Sequence, residues 1–336
     1  MDLSDFQYDL PEAAIAQTPV EPRHASRMLR VLDMSDHTFL ELPQSLDPGD
    51  LVVVNRTRVR HARLIGTKHP TGGGVEALLL GRLADGSWDA LVKPARRIRV
   101  GTVMRFGQIE AVAVSDPVEG RVRLEMSSTD DIETAISARG EVPLPPYITT
   151  SLADPDRYQT IFADRVGSAA APTAGLHFTD TVIDGLRSRG IEIASIDLEV
   201  GLGTFRPIST ERIEDHVMHS ERYEVPVETA AAVASVRGRG GRVVAIGTTV
   251  VRTLETVGTP DGLIAPGRGV SDLYLTPGSR FNVVDRLVTN FHLPGSSLLV
   301  LLAAFMGPGW RDVYDTALER GYRFLSFGDA MLCDRA

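Results

Sequence analysis

The sequence GGRVVAIGTTVVRTLETV, residues 240–257, decides the fold. A run of apolar, largely β-branched residues predicts a buried strand. Gly247 leads from this run directly into two threonines and a segment whose apolar residues have helical spacing. A strand that passes straight into a helix is the repeating unit of α/β sheets, and their ligands bind beyond the strand ends. The stretch therefore predicts an α/β fold with a binding loop at Gly247.

The same alternation recurs on both sides of this stretch. A final helix, WRDVYDTALERG, leads to YRFLSF, and LVVVN near the N-terminus predicts one more strand of the same domain. The other predicted strands and the segments that follow them are IEIASIDLEV with GLGTF, and FNVVDRLVTNF with HLPGSSLLVLLAAFM. Because the segment SSLLVLLAAFM is apolar on every side, we predict a buried helix there.

The pattern changes between about residues 64 and 126. Short strand-like runs, VEALLLGRL, SWDALVK, TVMRFG and RVRLEM, are separated by Gly, Pro and Asp turns, which is typical of a small barrel or sandwich. The segment GEVPLPPYI, residues 140–148, is rich in proline and suits a linker. We therefore predict a discontinuous α/β barrel-like domain, residues 1–64 and 148–336, with an inserted β-barrel domain at residues 65–147.

Charge and composition restrict the function. The net charge is −9, yet residues 56–105 hold eleven lysines and arginines against three acidic residues. This basic region is either a solvated face or a nucleic-acid surface. The longest apolar run, residues 298–306, is shorter than the roughly 20 residues of a membrane span, and the N-terminus lacks a basic and apolar leader. With Cys333 as the single cysteine, we expect a cytoplasmic protein without intrachain disulfides or membrane segments.

Several predicted strand ends carry residues suited to chemistry. Thr248 and Thr249 either bind an anion through the free N–H groups of a helix N-terminus or act only as helix caps. His177 in APTAGLHFT and His292 in TNFHLPGSS lie in loops shaped by proline and glycine. His216 and His219 would share one face of a helix, as a metal pair or in acid–base and polar contacts.

The loop EVGLGTF, residues 199–205, raises one alternative. It resembles the acidic-x-Gly-x-Gly loop of class I methyltransferases, which bind S-adenosylmethionine. Phe205 stands where a third glycine is expected, and Pro207 stands where a helix would begin. The motif therefore supports a methyltransferase only weakly.

The ordered combination of motifs is more specific. AAPTAGLHFT, GLGTFRPI, EDHVMHSE, AIGTTVVRTLE, VTNFHLPGSSLL and YRFLSFGDAML follow one another along the chain. In this order, and with DFQYDLPEAAIAQTPVEPR and ALVKPARRIRVG in the N-terminal half, they resemble the S-adenosylmethionine:tRNA ribosyltransferase-isomerases of queuosine biosynthesis. The resemblance runs almost from end to end.

The resemblance implies an activity and an architecture. The family transfers the ribosyl part of S-adenosylmethionine to 7-aminomethyl-7-deazaguanine at the wobble position of a tRNA, which gives epoxyqueuosine, adenine and methionine. S-adenosylmethionine is then a substrate, and no cofactor or metal is expected. The implied architecture is an α/β barrel-like domain with an inserted β-barrel. We expect a monomer whose partners are that tRNA and S-adenosylmethionine.

With this activity in mind, we assign hypothetical roles to the candidate residues. The acid–base and proton-accepting candidates are His177, His219, Glu221 and Asp329. The candidates for substrate binding are Thr173, Gly175, Phe178, Gly201, Gly203, Thr204, Thr248, Thr249, Arg252, Glu255, Asn290 and His292. The basic residues proposed to position the tRNA are Arg58, Arg63, Lys93, Arg96, Arg97 and Arg99.

Three positions depart from the family pattern. Arg56 stands where Asn or Asp is usual, Glu199 where His is usual, and Phe327 where Tyr is usual. At Glu199 either the ligand contact is remodelled or the position never touches the ligand. These departures keep a noncatalytic tRNA-binding relative in view, beside the enzyme and the methyltransferase.

Overall fold

The computed structural model describes residues 1–201 and 207–336. These residues form two compact units. The first comprises Met1–Arg58, Pro145–Arg165 and Ala171–Ala336, and the second comprises Val59–Leu144 and Val166–Ala170. The short strands β4 (Thr57–Val59) and β11 (Arg165–Ser168) lie where the chain passes from one unit to the other.

The first unit is built on a mixed sheet that has nine strands in the described residues. Their order is β15 (Gly267–Ser271), β13 (Glu221–Val225), β12 (Glu192–Leu198), β3 (Leu51–Asn55), β14 (Val243–Ile246), β16 (Arg286–Asn290), β17 (Ala330–Asp334), β1 (Arg27–Arg30) and β2 (Ser35–Thr38). The four central strands, β12, β3, β14 and β16, are parallel. Their carboxyl ends consequently meet at one edge of the sheet, where α/β proteins bind ligands.

The apolar strands of this sheet form its core. All residues of β3 and β14 are buried, which explains their unbroken runs of valine, alanine and isoleucine. The helices of this unit are α1 (Leu42–Ser45), α3 (Asp180–Ser188), α4 (Val227–Gly238), α5 (Thr248–Val257), α6 (Ser297–Met306) and α7 (Trp310–Glu319). The predicted apolar helix is confirmed as the buried α6, whose first turn is capped by the Ser296 hydroxyl at 3.2 Å from the Leu299 amide.

The second unit is a closed barrel. Its antiparallel strands follow the order β10 (Arg121–Ser127), β7 (Trp88–Lys93), β6 (Gly74–Arg82), β5 (Arg63–His69), β8 (Val103–Phe106) and β9 (Ile109–Ala113), with the helix α2 (Ile132–Arg139) packed on them. Alternate side chains point inward, and Trp88, Phe106 and Leu64 are fully buried in its core. The predicted fold class, an α/β domain with a small β-barrel, is confirmed.

Candidate functional site

A cavity of about 630 Å³, measured out to its mouth, opens at the carboxyl ends of the parallel strands in the first unit. Its wall comes from residues at or after the ends of β12, β14 and β16, from the loop after β11, and from Tyr147, Leu325 and Ser326. The polar ones are Tyr147, Thr173, Thr248, Thr249, Thr289, Asn290, His292, Ser296 and Ser326. Apolar residues, among them Val200, Leu293 and Leu298, complete the wall, so the cavity has the mixed apolar and polar lining that is typical of a ligand pocket.

The N-terminus of α5 opens into this cavity. Gly247 precedes it with a φ of 92°, a left-handed conformation that favours glycine and turns the chain sharply from β14 into the helix. Thr248 and Thr249 follow as the first helical residues, and both line the cavity. The first N–H groups of a helix lack partners within it and carry partial positive charge, so this end suits a carboxylate.

Asn55 supports one wall of this cavity through Thr249, and the sequence did not indicate it. Its amide oxygen accepts from the Leu198 N–H at 3.2 Å, and its amide nitrogen donates to the Leu198 carbonyl at 3.1 Å. The same nitrogen lies 3.4 Å from the Thr249 hydroxyl. Asn55 thus ties the ends of β3 and β12 to the first turn of α5. Its only signal in the sequence was a polar residue at the end of the run LVVVN.

Asn290 connects three of the predicted residues. Its amide nitrogen lies 3.4 Å from the Asp329 carbonyl, which can only accept, so the amide oxygen faces the Thr173 hydroxyl at 2.9 Å. The nitrogen also donates to His177 Nε2 at 3.1 Å. Because Nε2 therefore accepts, the ring proton of His177 lies on Nδ1 and is donated to Ser26 Oγ at 2.7 Å. The result is one directed chain of hydrogen bonds, from Thr173 through Asn290 and His177 to Ser26.

His177 is held as a neutral ring. It is buried and stacked on Phe39, with ring centroids 4.9 Å apart. Burial, and after it the positive charges of Arg323 and Arg23, lower the pKa of His177 to about 3. Because Nε2 of His177 already accepts the hydrogen bond from Asn290, it is poorly placed to accept a proton from a substrate. Its contact with Asn290 instead indicates a positioning role.

His177 borders a second, smaller cavity rather than the first. This cavity has about 260 Å³ of empty space out to its mouth, and its wall includes Arg23, Arg157 and Ser26. Ser326 lines both cavities. Its hydroxyl is 2.7 Å from the hydroxyl of Tyr147, which also lines the larger one.

His292 lines the larger cavity as a second buried imidazole. Its Nε2 lies 3.0 Å from the Thr289 hydroxyl, and its backbone N–H donates to the Tyr314 hydroxyl at 2.9 Å. Burial lowers the pKa of His292 to about 3. Like His177, it is therefore neutral at physiological pH and offers a hydrogen bond rather than a charge.

The two buried histidines make stability depend on pH. Their ordinary pKa is 6.5, so between pH 6.5 and 3 the unfolded chain binds protons that the folded chain excludes. The free energy of unfolding should then fall as pH falls below 6.5, by up to about 1.4 kcal/mol per pH unit for each histidine. Urea unfolding of the wild type and of His292→Asn between pH 7 and about 5 measures this. The variant should show the shallower dependence, and parallel curves would contradict the assignment.

A second cluster surrounds Glu221 at the start of β13. Its carboxylate accepts from the backbone N–H of Gly201 at 2.9 Å, contacts His219 Nε2 at 3.2 Å and forms a buried ion pair with Arg252. Burial opposes ionisation of Glu221, but the His219 hydrogen bond and the Arg252 charge outweigh it, so its pKa is lowered. Glu221 thus remains ionised and fixes the ring of His219.

His219 is the accessible member of this cluster. Its side chain is 30% exposed, whereas that of Glu221 is 1% exposed. A Cβ at Gly201 would lie 3.6 Å from His219 Cδ2, and the preceding residue, Val200, lines the larger cavity. A carboxylate that orients an exposed imidazole is a typical acid–base arrangement. Neither His219 nor Glu221 is part of the wall of the larger cavity.

The two histidines of EDHVMHSE do not share one face of a helix. The segment is not an α-helix, because a short 3-10 turn, Ile213–Asp215, is followed by irregular chain up to β13. His216 packs edge-on against Tyr274 at 5.4 Å while His219 bonds Glu221. No group of three or more His, Cys, Asp or Glu residues able to hold a metal occurs in residues 1–201 and 207–336.

Comparison with known proteins shows the family of this chain. The pattern that defines the family described as "Queuosine biosynthesis protein" matches residues 3–333. The chain belongs to that family. The resemblance inferred from its ordered motifs is confirmed.

Relatives of the chain in this family extend over its whole length. Two relatives, from Moorella thermoacetica and Symbiobacterium thermophilum, are named S-adenosylmethionine:tRNA ribosyltransferase-isomerase. They are 51% and 50% identical to this chain, and each comparison covers 99% of this chain and 99% of the relative. The crystal structure of S-adenosylmethionine tRNA ribosyltransferase from Thermotoga maritima is 36% identical. The match covers 98% of this chain and 99% of that one, with a TM-score of 0.54.

Two of the departures from the family pattern lie away from the larger cavity. Arg56 binds Asp197 through Nε and a terminal nitrogen, with N to O distances of 2.9–3.2 Å. Glu199 is exposed between two buried neighbours, and its backbone N–H donates to the Arg222 carbonyl at 2.9 Å. Neither residue lines the cavity, which favours the view that position 199 does not touch the ligand.

Phe327, the third departure from the family pattern, lines the smaller cavity. It is buried and packs edge-on against Tyr158, with ring centroids 5.9 Å apart. A tyrosine at this position would add a hydroxyl group near the smaller cavity. Phenylalanine leaves this part of the cavity wall apolar.

Three predicted site residues bond other parts of the protein instead of lining the larger cavity. Asp329 accepts from the backbone N–H groups of Arg27 and Arg323 at 3.0 and 2.8 Å. Glu255 accepts from three consecutive backbone N–H groups, residues 282–284, at 2.7–3.1 Å. None of the side chains of Asp329, Glu255 and Arg252 lines the larger cavity.

Two further predicted residues serve packing. Phe178 is fully buried in the core among Phe39 and Phe162, so its ring has no free face for adenine. A Cβ at Gly175 would come within 3.0 Å of Thr160 Cγ2, so glycine permits close packing there. Gly203 and Thr204 lie outside the described residues.

The six basic residues proposed to contact tRNA divide into two groups. Arg63 pairs with Glu76 and Glu141, and Arg58, which belongs to the first unit, pairs with Asp156. The others are exposed in the second unit, and in the described residues none forms an ion pair with a carboxylate: Lys93, Arg96, Arg97 and Arg99. We call these four residues the basic cluster.

Proposed function

We propose that the chain transfers and isomerises the ribosyl moiety of S-adenosylmethionine onto 7-aminomethyl-7-deazaguanine at the wobble position of tRNA. The products are epoxyqueuosine-tRNA, adenine and methionine. The observation that carries the proposal is the end-to-end similarity to proteins named S-adenosylmethionine:tRNA ribosyltransferase-isomerase. A tRNA-modifying reaction also suits the cytoplasm, where we propose that the protein works. In the described residues no helix combines the length and apolarity that a membrane span requires.

We place S-adenosylmethionine in the larger cavity. Its methionine carboxylate is proposed to bind the N-terminus of α5, where Thr248 and Thr249 add hydroxyl groups to the backbone N–H groups. The nucleoside then lies towards Asn290 and His292, which line the same cavity. Both side chains are fixed by internal hydrogen bonds, so the site is organised before the substrate arrives.

The reaction begins with proton removal. A sulfonium makes the C5′ hydrogen of S-adenosylmethionine acidic, and a base within reach removes it and starts the loss of adenine. We assign this base to His219, because it is accessible and its ring is oriented by the ionised Glu221. His177 is proposed to act through Asn290 as a positioning residue, because its Nε2 already accepts a hydrogen bond.

Adenine must then leave, and the amine of the tRNA base must attack. Adenine leaves more readily when one of its nitrogens accepts a proton or a hydrogen bond. We propose that Asn290 and His292 provide this hydrogen bonding, since both are neutral polar groups in the larger cavity. The attacking amine must be neutral and loses a proton as its bond to the ribosyl group forms, so the site also needs a proton acceptor. We propose that His219 takes this role after its first proton has passed to the departing adenine.

The basic cluster is proposed to hold the anticodon arm. An anticodon loop presents unstacked bases and phosphates, which free arginines and lysines bind. We expect Arg96→Gln/Arg97→Gln to weaken tRNA binding and to reduce the slope of log affinity against log salt by about 1.4–1.8. Filter binding at several salt concentrations measures the slope. Arg105→Gln, which removes an exposed arginine paired with Glu110, is the matched control. An unchanged slope in the double variant would contradict this surface.

Product analysis distinguishes the three candidate functions. Purified protein is incubated with S-adenosylmethionine and tRNA that carries 7-aminomethyl-7-deazaguanine, and the small products are separated by chromatography. Adenine and methionine in equal amounts are expected from the ribosyltransferase-isomerase. S-adenosylhomocysteine would indicate a methyltransferase, and binding of tRNA without any release would indicate a noncatalytic relative.

A further inference from the structure

The smaller cavity of the first unit has an excess of positive charge. Two arginines, Arg23 and Arg157, belong to its wall, and among the described residues no aspartate or glutamate does. Glu21 contacts Arg157 at 2.6 Å but is 68% exposed, so solvent screens its charge. Glu21, the carboxylate paired with Arg157, therefore lies at the surface and is not part of the cavity wall.

Among the residues that the structure describes, the two guanidinium groups have more N–H donors than protein partners. Arg23 donates to the backbone carbonyls of Gln159 and Asp156 at 2.6 and 3.1 Å, and Arg157 donates to the Val20 carbonyl at 3.2 Å. A guanidinium has five N–H donors, and these contacts use only some of them. Burial and the nearby charge of Arg157 lower the pKa of Arg23, although neighbouring carboxylates oppose this. The arginines thus repel one another, and no aspartate or glutamate in residues 1–201 and 207–336 lines the cavity.

Ser26 adds a buried neutral donor. It is 1% exposed and lines the cavity, and its oxygen accepts the Nδ1 proton of His177. Its own hydroxyl hydrogen is consequently not used in that bond. An anion at this cavity can therefore meet two charged donors and one hydroxyl. Arginine side chains bind carboxylates and phosphates with paired, charge-assisted hydrogen bonds.

We propose that Arg23, Arg157 and Ser26 form an oxyanion-binding subsite for the substrates of the proposed function, on which this inference rests. The shared ligand chemistry is a carboxylate or a phosphate. Since the methionine carboxylate is assigned to α5, the expected occupant is a tRNA phosphate near the modified nucleotide. Ser26 is also bonded to His177, which holds Asn290 in the larger cavity, so the bound anion and the reacting groups share one hydrogen-bonded chain.

The subsite is tested with Arg157→Gln and Arg23→Lys. Arg157→Gln removes a positive charge. Arg23→Lys keeps the charge but loses the planar guanidinium, whose paired N–H donors match a carboxylate or a phosphate. Arg187→Gln removes an exposed arginine on α3 that pairs only with Asp184 among the described residues, and it serves as the matched control. KM for S-adenosylmethionine, KM for tRNA and the salt dependence of tRNA binding are measured for each, after thermal melting has shown that the variant is folded.

The results separate the two anions. For Arg157→Gln we expect tRNA to bind about tenfold more weakly, with the salt slope reduced by about 0.7–0.9 and KM for S-adenosylmethionine unchanged. A tenfold rise in KM for S-adenosylmethionine alone would support the subsite with the methionine carboxylate as its occupant. The subsite would be overturned if both folded variants matched Arg187→Gln in KM for S-adenosylmethionine, in KM for tRNA and in the salt dependence of tRNA binding. Failure of the proposed function is distinguished because the wild type would then release neither adenine nor methionine.

Discussion

His219→Ala is expected to lower kcat by about 10²- to 10⁴-fold, the usual contribution of a general acid–base group. KM for S-adenosylmethionine should change little, because we place the bound carboxylate at α5 and not at His219. The physical reason is the pair formed with Glu221, which is buried, ionised and 3.2 Å from His219 Nε2. Steady-state release of adenine measures the effect.

His216→Ala is the matched control for this prediction. His216 lies three residues earlier and packs edge-on against Tyr274 rather than on Glu221. We expect it to retain kcat within about threefold of the wild type, a change of under 1 kcal/mol in the activation barrier. If His219→Ala turned over at the wild-type rate, the base would have to be another residue.

Arg252→Met is expected to lower the free energy of unfolding by about 3–5 kcal/mol, the usual cost of leaving one partner of a buried ion pair alone. The side chains of Arg252 and Glu221 are 4% and 1% exposed, so water cannot replace the lost charge. Arg252 also donates to the backbone carbonyls of Leu273, Ser271 and His219 at 3.2–3.4 Å. Urea unfolding followed by circular dichroism measures the change.

The double variant Arg252→Met/Glu221→Gln isolates the charge. Without the carboxylate no charge is left buried, so we expect the double variant to regain most of the stability that the single variant loses. Its kcat should nevertheless stay low, because His219 has lost the carboxylate that orients it. A double variant no more stable than Arg252→Met would show that packing, rather than the ion pair, determines the loss.

The sequence predicted the elements whose pattern is local. The run VVAI followed by TTVVRTLETV gave β14 and α5 because burial and helical spacing are both visible in neighbouring residues. The alternation in VEALLLGRL and RVRLEM likewise gave two strands of the barrel. These elements are stabilised mainly by the burial of their own apolar faces, and the spacing of apolar residues that forms such a face is visible in the sequence.

Elements that depend on distant partners were missed. The final strand was predicted near YRFLSF, but β17 is Ala330–Asp334, which pairs with β16 and β1. Before it, Leu325 adopts a φ of 69°, and the Asp329 carboxylate holds the N–H of Arg323 and that of Arg27 in another strand. Contacts between residues so far apart in sequence leave no periodic signal.

The candidate site shows the same division. Thr248, Thr249 and His292 were predicted from their places after strands, and all three line the larger cavity, as does Asn290 at the end of β16. The protonation of His177 could not be predicted, because it depends on the Asn290 and Ser26 contacts and on depth in the core. The sequence shows Glu255 only as a polar residue of a helix. The structure shows that its carboxylate accepts hydrogen bonds from the backbone N–H groups of residues 282–284.

The most direct test of the account follows the ribose itself. S-adenosylmethionine uniformly labelled with ¹³C in its ribose is incubated with the protein and with tRNA that carries 7-aminomethyl-7-deazaguanine, and the tRNA nucleosides are analysed by mass spectrometry. We expect the labelled ribosyl carbons in an epoxyqueuosine nucleoside and unlabelled adenine in solution. Labelled carbons found only in S-adenosylhomocysteine, or only in unreacted S-adenosylmethionine recovered with tRNA-bound protein, would contradict ribosyl transfer by this chain.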